Sequence, residues 1–540
     1  MVTPVGGPKD VTPPSVVKEV PANGTVNFKG NSFKVTFDEF VTLNNTNENV
    51  LISPPPTTAP LFTLSGKTLT VKFQDTLLPD QTYNVGFANC IQDYTEGNPI
   101  AFYNYAFSTG SAVDSMMLEG RVIDAKTGQP VKECFVFAYT EDVDSLPLTT
   151  RPQFISKTQS NGTFQIKNIK SGDYKIFALV DGDNNLIYSQ PTEAIAFAPT
   201  LYPSVPSPKE VDTLANDSTK PQPVPVDSTY KPFTIRLFRA IGEQVMTKSQ
   251  NRSVGRYEFF FSEEINDVQL RPLTASPEFF THFGHDTLVV YFKSPVTDTL
   301  QLECLMGNKV IDTLEVTPYK AKESKGRRGR EERTNALSVS LNNSGELFKP
   351  LTLSFSYPIR PADSVPVRIV AKRKYSGNDT SFVTLSVPDT FVMSLAIPFK
   401  FAEKVPYELM IPDSLFHGYD DAWNDTVVAS FTTKTEKDYG TLRLTYRIPD
   451  NGKVYVATLL SSSNAEIQSD RLTCSTTIVY DKLLAGKYKV EILEDVNDNG
   501  KWDTGDYKEK RLPEVIQFLS KSLNVRGYWE LEETFEWKEE

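Results

Sequence analysis

Short runs in which apolar and polar residues strictly alternate recur along this chain, and they limit its fold more than any other feature. Ser32-Phe33-Lys34-Val35-Thr36-Phe37 and Thr68-Leu69-Thr70-Val71-Lys72-Phe73 are clear cases. In an extended strand successive side chains point to opposite faces, so this pattern predicts strands with one face in a core and one in water. Turn-forming clusters such as Pro21-Ala22-Asn23-Gly24 and Ser65-Gly66-Lys67 separate the runs. The 37 prolines interrupt helices and mark turns and strand edges, while 34 Phe and 23 Tyr favour pleated, half-buried surfaces. Many short strands with turns at this spacing predict β-sandwiches. A chain of 540 residues is too long for one core, and roughly three to five domains follow from ordinary domain sizes. The predicted class is all-β, a tandem array of sandwiches.

Five modules are expected. The first spans residues 10–110. In it Thr12-Pro13-Pro14, the strand ending Phe37-Asp38-Glu39, Ile52-Ser53-Pro54, Leu77 to Pro79, Thr82-Tyr83, Asp93-Tyr94-Thr95-Glu96-Gly97-Asn98 and Phe107-Ser108-Thr109-Gly110 follow in order. This succession resembles the bacterial Ig-like domain of the SbsA type. The opening Gly6-Gly7-Pro8-Lys9-Asp10 resembles the start of surface lipoproteins of Bacteroidota. The second module spans 117–199, with Gly120-Arg121-Val122-Ile123-Asp124, the strand Cys134 to Tyr139, Ser160-Asn161-Gly162-Thr163-Phe164 and Gly172-Asp173-Tyr174. It resembles the carboxypeptidase-regulatory-like domain, a transthyretin-like β-sandwich without peptidase chemistry. Asn161-Gly162 is also a hairpin signal in its own right. Residues 200–231 are rich in Pro, Ser, Asp and Thr and are expected to form a linker or loop. A third, Ig-like module is expected over 232–319. A fourth, over 335–434, repeats the first with decay, matching Leu351 to Ile359 to the Phe37 strand and Val405 to Leu409 to the Tyr83 strand. The fifth, 438–540, resembles the second, with Leu483 to Val490 parallel to Ile169 to Ile176.

Composition excludes several function classes. The net charge of −12 argues against nucleic acid, whose phosphates need a basic surface. The basic run Lys320 to Arg333 is expected to be a solvated inter-module loop. No segment approaches the ~20 apolar residues that span a bilayer, and no signal-peptide pattern opens the sequence. The polar, Pro/Gly-rich start is expected to be a tether, with a lipid anchor on a preceding cysteine of the native precursor. Cys90, Cys134, Cys304 and Cys474 lie far apart and are read as small buried residues, without a disulfide framework or a metal knuckle.

The sharpest chemical signal is Asp495-Val496-Asn497-Asp498-Asn499-Gly500-Lys501-Trp502-Asp503-Thr504-Gly505-Asp506. With Asp495 as position one, oxygen side chains fall at three (Asn497), five (Asn499), nine (Asp503) and twelve (Asp506), and Gly500 stands at six. Lys501 at seven would offer its carbonyl. This resembles the calcium loop of EF-hands and dockerins. Ca²⁺ takes roughly six to eight hard oxygen ligands, which a tight loop with a Gly turn brings together. Two features depart from that pattern: Asp, not Glu, stands at twelve, and a strand leads in. The expected role of such an ion is a structural staple. Asp181-Gly182-Asp183-Asn184-Asn185 is shorter and lacks later carboxylates, so no ion is expected there.

Catalysis finds little support. His282, His285 and His417 are the only histidines, and no nucleophile-elbow, zinc-helix or phosphate-loop motif occurs. Adjacent carboxylates such as Asp38-Glu39, Glu263-Glu264 and Asp420-Asp421 point to opposite faces of a strand. Trp423, Trp502, Trp529 and Trp537 are candidates for stacking on sugars, with core packing the simpler role for most. The chain is therefore expected to be a non-catalytic, surface-exposed lipoprotein at the bacterial outer membrane. It would bind or scaffold outer-membrane or cell-surface proteins. The alternatives are an accessory subunit of β-barrel assembly or secretion machinery, and a glycan-binding surface protein of a nutrient-uptake system.

Overall fold

The computed structural model describes residues 11–100, 103–190, 192–207, 232–240, 245–265, 268–274, 277–307, 309–320, 336–341, 345–373 and 377–539. The tether at 1–10, most of the Pro/Ser-rich stretch and nearly all of the basic run lie outside these residues. The chain divides into two compact units, one comprising residues up to Ala240 together with Leu493–Ile516, the other Ile241–Ile492 together with Gln517–Glu540. Both are all-β. Among the described residues, helix is confined to Thr46–Asn49, Leu146–Thr149 and a 3-10 turn at Glu436–Asp438.

In the first module the alternating runs do what their period dictates. Val16–Val20, Ser32–Phe37, Thr68–Lys72 and Leu61–Ser65 form one sheet in that order. Val50–Ser53, Thr82–Phe87 and Tyr103–Ser108 form the facing one. Phe33, Val35 and Phe37 point inward from the first sheet and Tyr83, Val85, Phe87, Tyr105 and Phe107 from the second. The Phe33 and Tyr105 rings stack across the core at 3.8 Å. Each such side chain contributes roughly 1.5–3 kcal/mol by leaving water.

The second module is larger than its sequence pattern suggests. The strand Phe233–Arg239, expected to open the third module, instead pairs in parallel with Met116–Asp124, from Gly120 opposite Phe233 to Asp124 opposite Leu237. It also pairs with the strand Ala194–Phe197. Phe233, Ile235 and Leu237 complete the core around Phe164, Ile166 and Tyr174. The apparent linker is therefore an excursion within this module, begun by two short strands, Tyr202–Pro203 against Asp173 and Tyr174 and Val205–Pro206 against Met116 and Met117. A fall in apolar content looks the same in sequence whether the chain leaves a domain or returns to it.

The fifth module repeats this wiring. Its first strand, Tyr439–Arg447, pairs in parallel with the last, Glu530–Glu536, and antiparallel with Thr476–Leu484. Its other sheet runs Glu466–Leu472, Val454–Ser461, Gly486–Asp495 and Ile516–Phe518. The second module has the same sequence of neighbours: Phe154–Lys157, Phe135–Tyr139, Asp173–Val180 and Ala194–Phe197. In the sequence between these two modules, two further sandwiches form. In one, Met246–Ser253, Arg256–Phe261, Thr287–Phe292 and Phe279–Phe283 face Gln269–Pro272, Leu300–Met306 and Lys309–Val316. In the other, Val339–Leu341, Leu351–Phe355 and Ser394–Ile397 face the four-stranded sheet built on the long strands Ala362–Arg373 and Gly377–Val387. Cys90, Cys134 and Cys304 are buried as expected, but Cys474 is exposed, because it sits in the turn before the strand Thr476–Leu484.

Candidate functional site

The strand Gly486–Asp495 delivers Asp495, 2% exposed, into the start of the acidic loop. Its carboxylate accepts the Asn499 N–H at 3.1 Å and the Gly500 N–H at 2.7 Å. Asn499 Oδ1 accepts the Lys501 N–H at 2.7 Å. The side-chain amides of Asn497 and Asn499 both donate to Asp503, at 2.7 and 2.8 Å. Asp495, Asn497, Asn499 and Asp503 are thus drawn into one network, and Lys501 contributes its backbone to it. Asp506 is not part of it. Its carboxylate accepts the N–H groups of Lys508 and Glu509, and its main chain pairs with Arg511, so it caps the next turn instead.

The residue that sequence reasoning missed is Glu514. Its two oxygens accept the Val496 N–H at 2.8 Å and the Asp503 N–H at 3.0 Å, closing the loop from behind. Burial pushes its carboxyl above the ordinary value. Those two N–H groups pull the other way, and the negative Asp503 and Asp495 push it further up.

The second module carries a twin of this loop. Asp181 accepts N–H groups from Asp183 at 3.2 Å and Leu186 at 2.7 Å. Asn185 Oδ1 accepts the Ile187 N–H at 2.6 Å, as Asn499 does for Lys501. Glu193 takes the place of Glu514, accepting from Gly182 at 3.2 Å and from Ser189 at 2.9 Å. Even the backbone matches: Asn184 and Leu186 have φ of 59° and 63°, Asp498 and Gly500 of 58° and 74°. Among the described residues, Asp181, Asp183 and Glu193 are the three carboxylates whose oxygens come within 4.8 Å of one another. Burial raises the Asp181 carboxyl, the Leu186 N–H opposes this, and Asp183 adds to the rise. A later carboxylate is therefore present in this loop, contrary to the sequence reading. Gathered oxygens of this kind suit a hard cation.

The same segment that forms the first loop also covers the second module. Within Leu493–Ile516, Tyr507 lies in a cluster with Phe137, Phe177, Ile195 and Phe238. Its ring meets those of Phe177, Tyr188 and Phe197 edge-on at 6.2, 5.5 and 5.7 Å. Its hydroxyl donates to the Asp144 carbonyl, and Lys510 pairs with the Asp144 carboxylate. Thr504 donates to the Arg239 carbonyl at 2.8 Å. Gly505 lies flat on Phe238, where a Cβ would stand 2.6 Å from the ring.

The remaining sequence candidates scatter. His282 packs against Phe391, His285 sits beside Glu264, and His417 stacks on Trp423 at 4.1 Å. Trp537 is buried and Trp502 is packed into the Tyr507 cluster, whereas Trp423 and Trp529 are exposed. Asp93 explains its motif structurally. Burial alone would raise its pKa, but N–H groups of Glu96, Asn98, Gly97 and Thr95 outweigh that and hold it at about 2.

Residues 10–109 match the family model of the bacterial Ig-like domain. A comparison with curated proteins finds no match. Among solved structures, the N-terminal part of the bacterial S-layer protein SbsC is 19% identical over 35% of this chain, with a TM-score of 0.14. This chain covers 40% of that protein's length. The major pilin subunit BcpA of Bacillus cereus is 8% identical, over 78% of this chain and 98% of its own, with a TM-score of 0.16. SbsC domains 1–6 are 12% identical, over 95% of this chain and 67% of their own, with a TM-score of 0.13.

Proposed function

We propose that this protein is a non-catalytic, surface-exposed lipoprotein of a Bacteroidota outer membrane that binds or scaffolds other envelope proteins. The observation that carries the reading is the bacterial Ig-like domain at 10–109, continued by further sandwiches along the chain. Arrays of this kind present surface rather than a pocket. The best-placed carboxylates support the same reading: Asp93, Glu193 and Glu514 all spend their oxygens on backbone N–H groups. Within this proposal, Ca²⁺ is the structural ion of the loop formed by Asp495, Asn497, Asn499, Lys501 and Asp503. It would fix the segment that covers the second module. The net charge of −12 favours protein or glycan partners over nucleic acid.

Protease shaving of intact cells, membrane fractionation and in-cell cross-linking test the reading together. The expected result is a protein in the outer-membrane fraction, cleaved on intact cells and cross-linked to envelope proteins. A cytosolic protein shielded from protease would refute it.

A further inference from the structure

Three exposed aromatic residues gather around Tyr439, at the start of the fifth module. Tyr439 is itself buried, and its ring packs edge-on against Phe348 at 4.8 Å. Its hydroxyl accepts the Leu347 N–H at 2.7 Å, and its carbonyl accepts the Tyr528 N–H at 2.7 Å. Trp529 follows at once, and its carbonyl accepts the Thr441 N–H at 3.0 Å. Phe348, Tyr528 and Trp529 are 42%, 63% and 65% exposed. Singly exposed aromatics are ordinary on a protein surface, but here three are anchored, by a ring contact or by main-chain hydrogen bonds, to the first residues of one strand.

Each ring carries a cation. Lys482 lies 4.8 Å from the Phe348 centroid, Lys437 5.8 Å from Tyr528 and Arg526 5.9 Å from Trp529. No carboxylate among the described residues pairs with these three cations. Of the acids close by, Glu346 pairs with Lys349 and Glu530 with Arg443, while Asp438 and Asp481 hydrogen-bond to Thr435 and to the Thr441 hydroxyl. On a chain of net charge −12, each of the three exposed rings is thus paired with a cation that has no direct carboxylate partner among the described residues, while Asp438 and Asp481 keep their charge nearby.

The backbone is strained where it presents this patch. Tyr528 has φ of 61° and Lys482 of 57°, a left-handed conformation that bulky residues rarely adopt. Glycine would fit both positions without strain, so the side chains are kept against a conformational cost. Such strain concentrates at functional surfaces. The turn is also firmly seated, because a Cβ on Gly527 would overlap the Lys437 carbonyl oxygen.

We infer that Phe348, Tyr528 and Trp529, with Lys437, Lys482 and Arg526, form a binding platform for a carboxylated polysaccharide. The apolar faces of pyranose rings stack on aromatic rings, while uronate carboxylates meet the cations. A neutral glycan would leave the cations unused, and an acidic peptide would leave the ring faces unused. The inference concerns this surface alone and holds whether or not the chain is anchored to a membrane.

The test uses the full chain with three polymers: polygalacturonate, dextran as faces without charge, and poly-L-glutamate as charge without faces. Isothermal titration should show binding to polygalacturonate, at least about tenfold tighter than to either control and weakened by added salt. Trp529→Ala, Tyr528→Gly and Lys482→Gly should each weaken it several-fold. The two glycine variants relieve strain, so their melting temperature should hold or rise, which separates lost binding from lost fold. No binding by the wild-type chain, equal binding of either control polymer, or full retention by all three variants overturns the inference.

Discussion

Tyr507→Ala should strip the cover from one face of the second module. The ring is 6% exposed and packs edge-on against three aromatic rings. Truncating a buried aromatic side chain to Ala costs roughly 3–5 kcal/mol. The lost bond to the Asp144 carbonyl adds about 1 kcal/mol. The sum, roughly 4–6 kcal/mol, corresponds to roughly 8–24 °C in the melting temperature of a unit this size, at about 2–4 °C per kcal/mol. Tyr507→Phe keeps the ring and should lose only the hydrogen bond, about 1 kcal/mol or roughly 2–4 °C. Gly505→Val probes the same contact from the other side, by forcing the segment off Phe238. Scanning calorimetry of the full chain, with amide exchange, measures all three. Exchange should accelerate in 493–516 and in the strands Ala194–Phe197 and Phe233–Arg239, which lie beneath. An unchanged melting temperature and unchanged exchange in Tyr507→Ala would refute the claim that this segment completes the module.

Further outcomes follow from the loops and thiols. Millimolar Ca²⁺ should raise the melting temperature and give heat on titration, and Asp495→Ala should remove the part of both that this loop supplies; a response unchanged by Asp495→Ala, or no heat in the wild-type chain, removes the ion from the loop. Asp93 is held at about 2, below its ordinary 3.8. Its contribution to the first module is therefore full above about pH 4 and is lost as pH falls through about 2. Asp93→Asn should flatten acid unfolding in that window, and an unaltered acid profile counts against the assignment. One thiol per chain, Cys474, should react with Ellman's reagent in the native protein and four on denaturation. Two or more fast native thiols would contradict the burial of the other three.

The twin loops show how far local sequence carries an argument and where it stops. Asp495, Asn497, Asn499 and Asp503 announce themselves because Gly500 stands at the turn. Asp181, Asp183 and Asn185 follow the same spacing, but Leu186 occupies the left-handed position and hides the likeness. Neither closing carboxylate is legible. Glu193 lies 12 residues after Asp181 and Glu514 lies 19 after Asp495, so no fixed spacing points to them. They are chosen by where a returning strand passes, and that is set by sheet pairing.

Features that depend on neighbours two or three residues apart are legible in the chain before it folds. The period of two placed Phe33, Val35 and Phe37 in a core, and Asn161-Gly162 and the other turn residues spaced the strands. Other features arise from residues that folding brings together from far along the chain. Phe233–Arg239 joins Met116–Asp124 across a Pro/Ser-rich excursion. Tyr507 completes a cluster whose other buried members lie more than 200 residues earlier. Tyr439 brings together Phe348, through its ring, and Tyr528, through its carbonyl. Alternation says that a residue faces inward or outward. It carries no information about which distant strand or ring that face will meet, because many partners bury the same apolar area equally well.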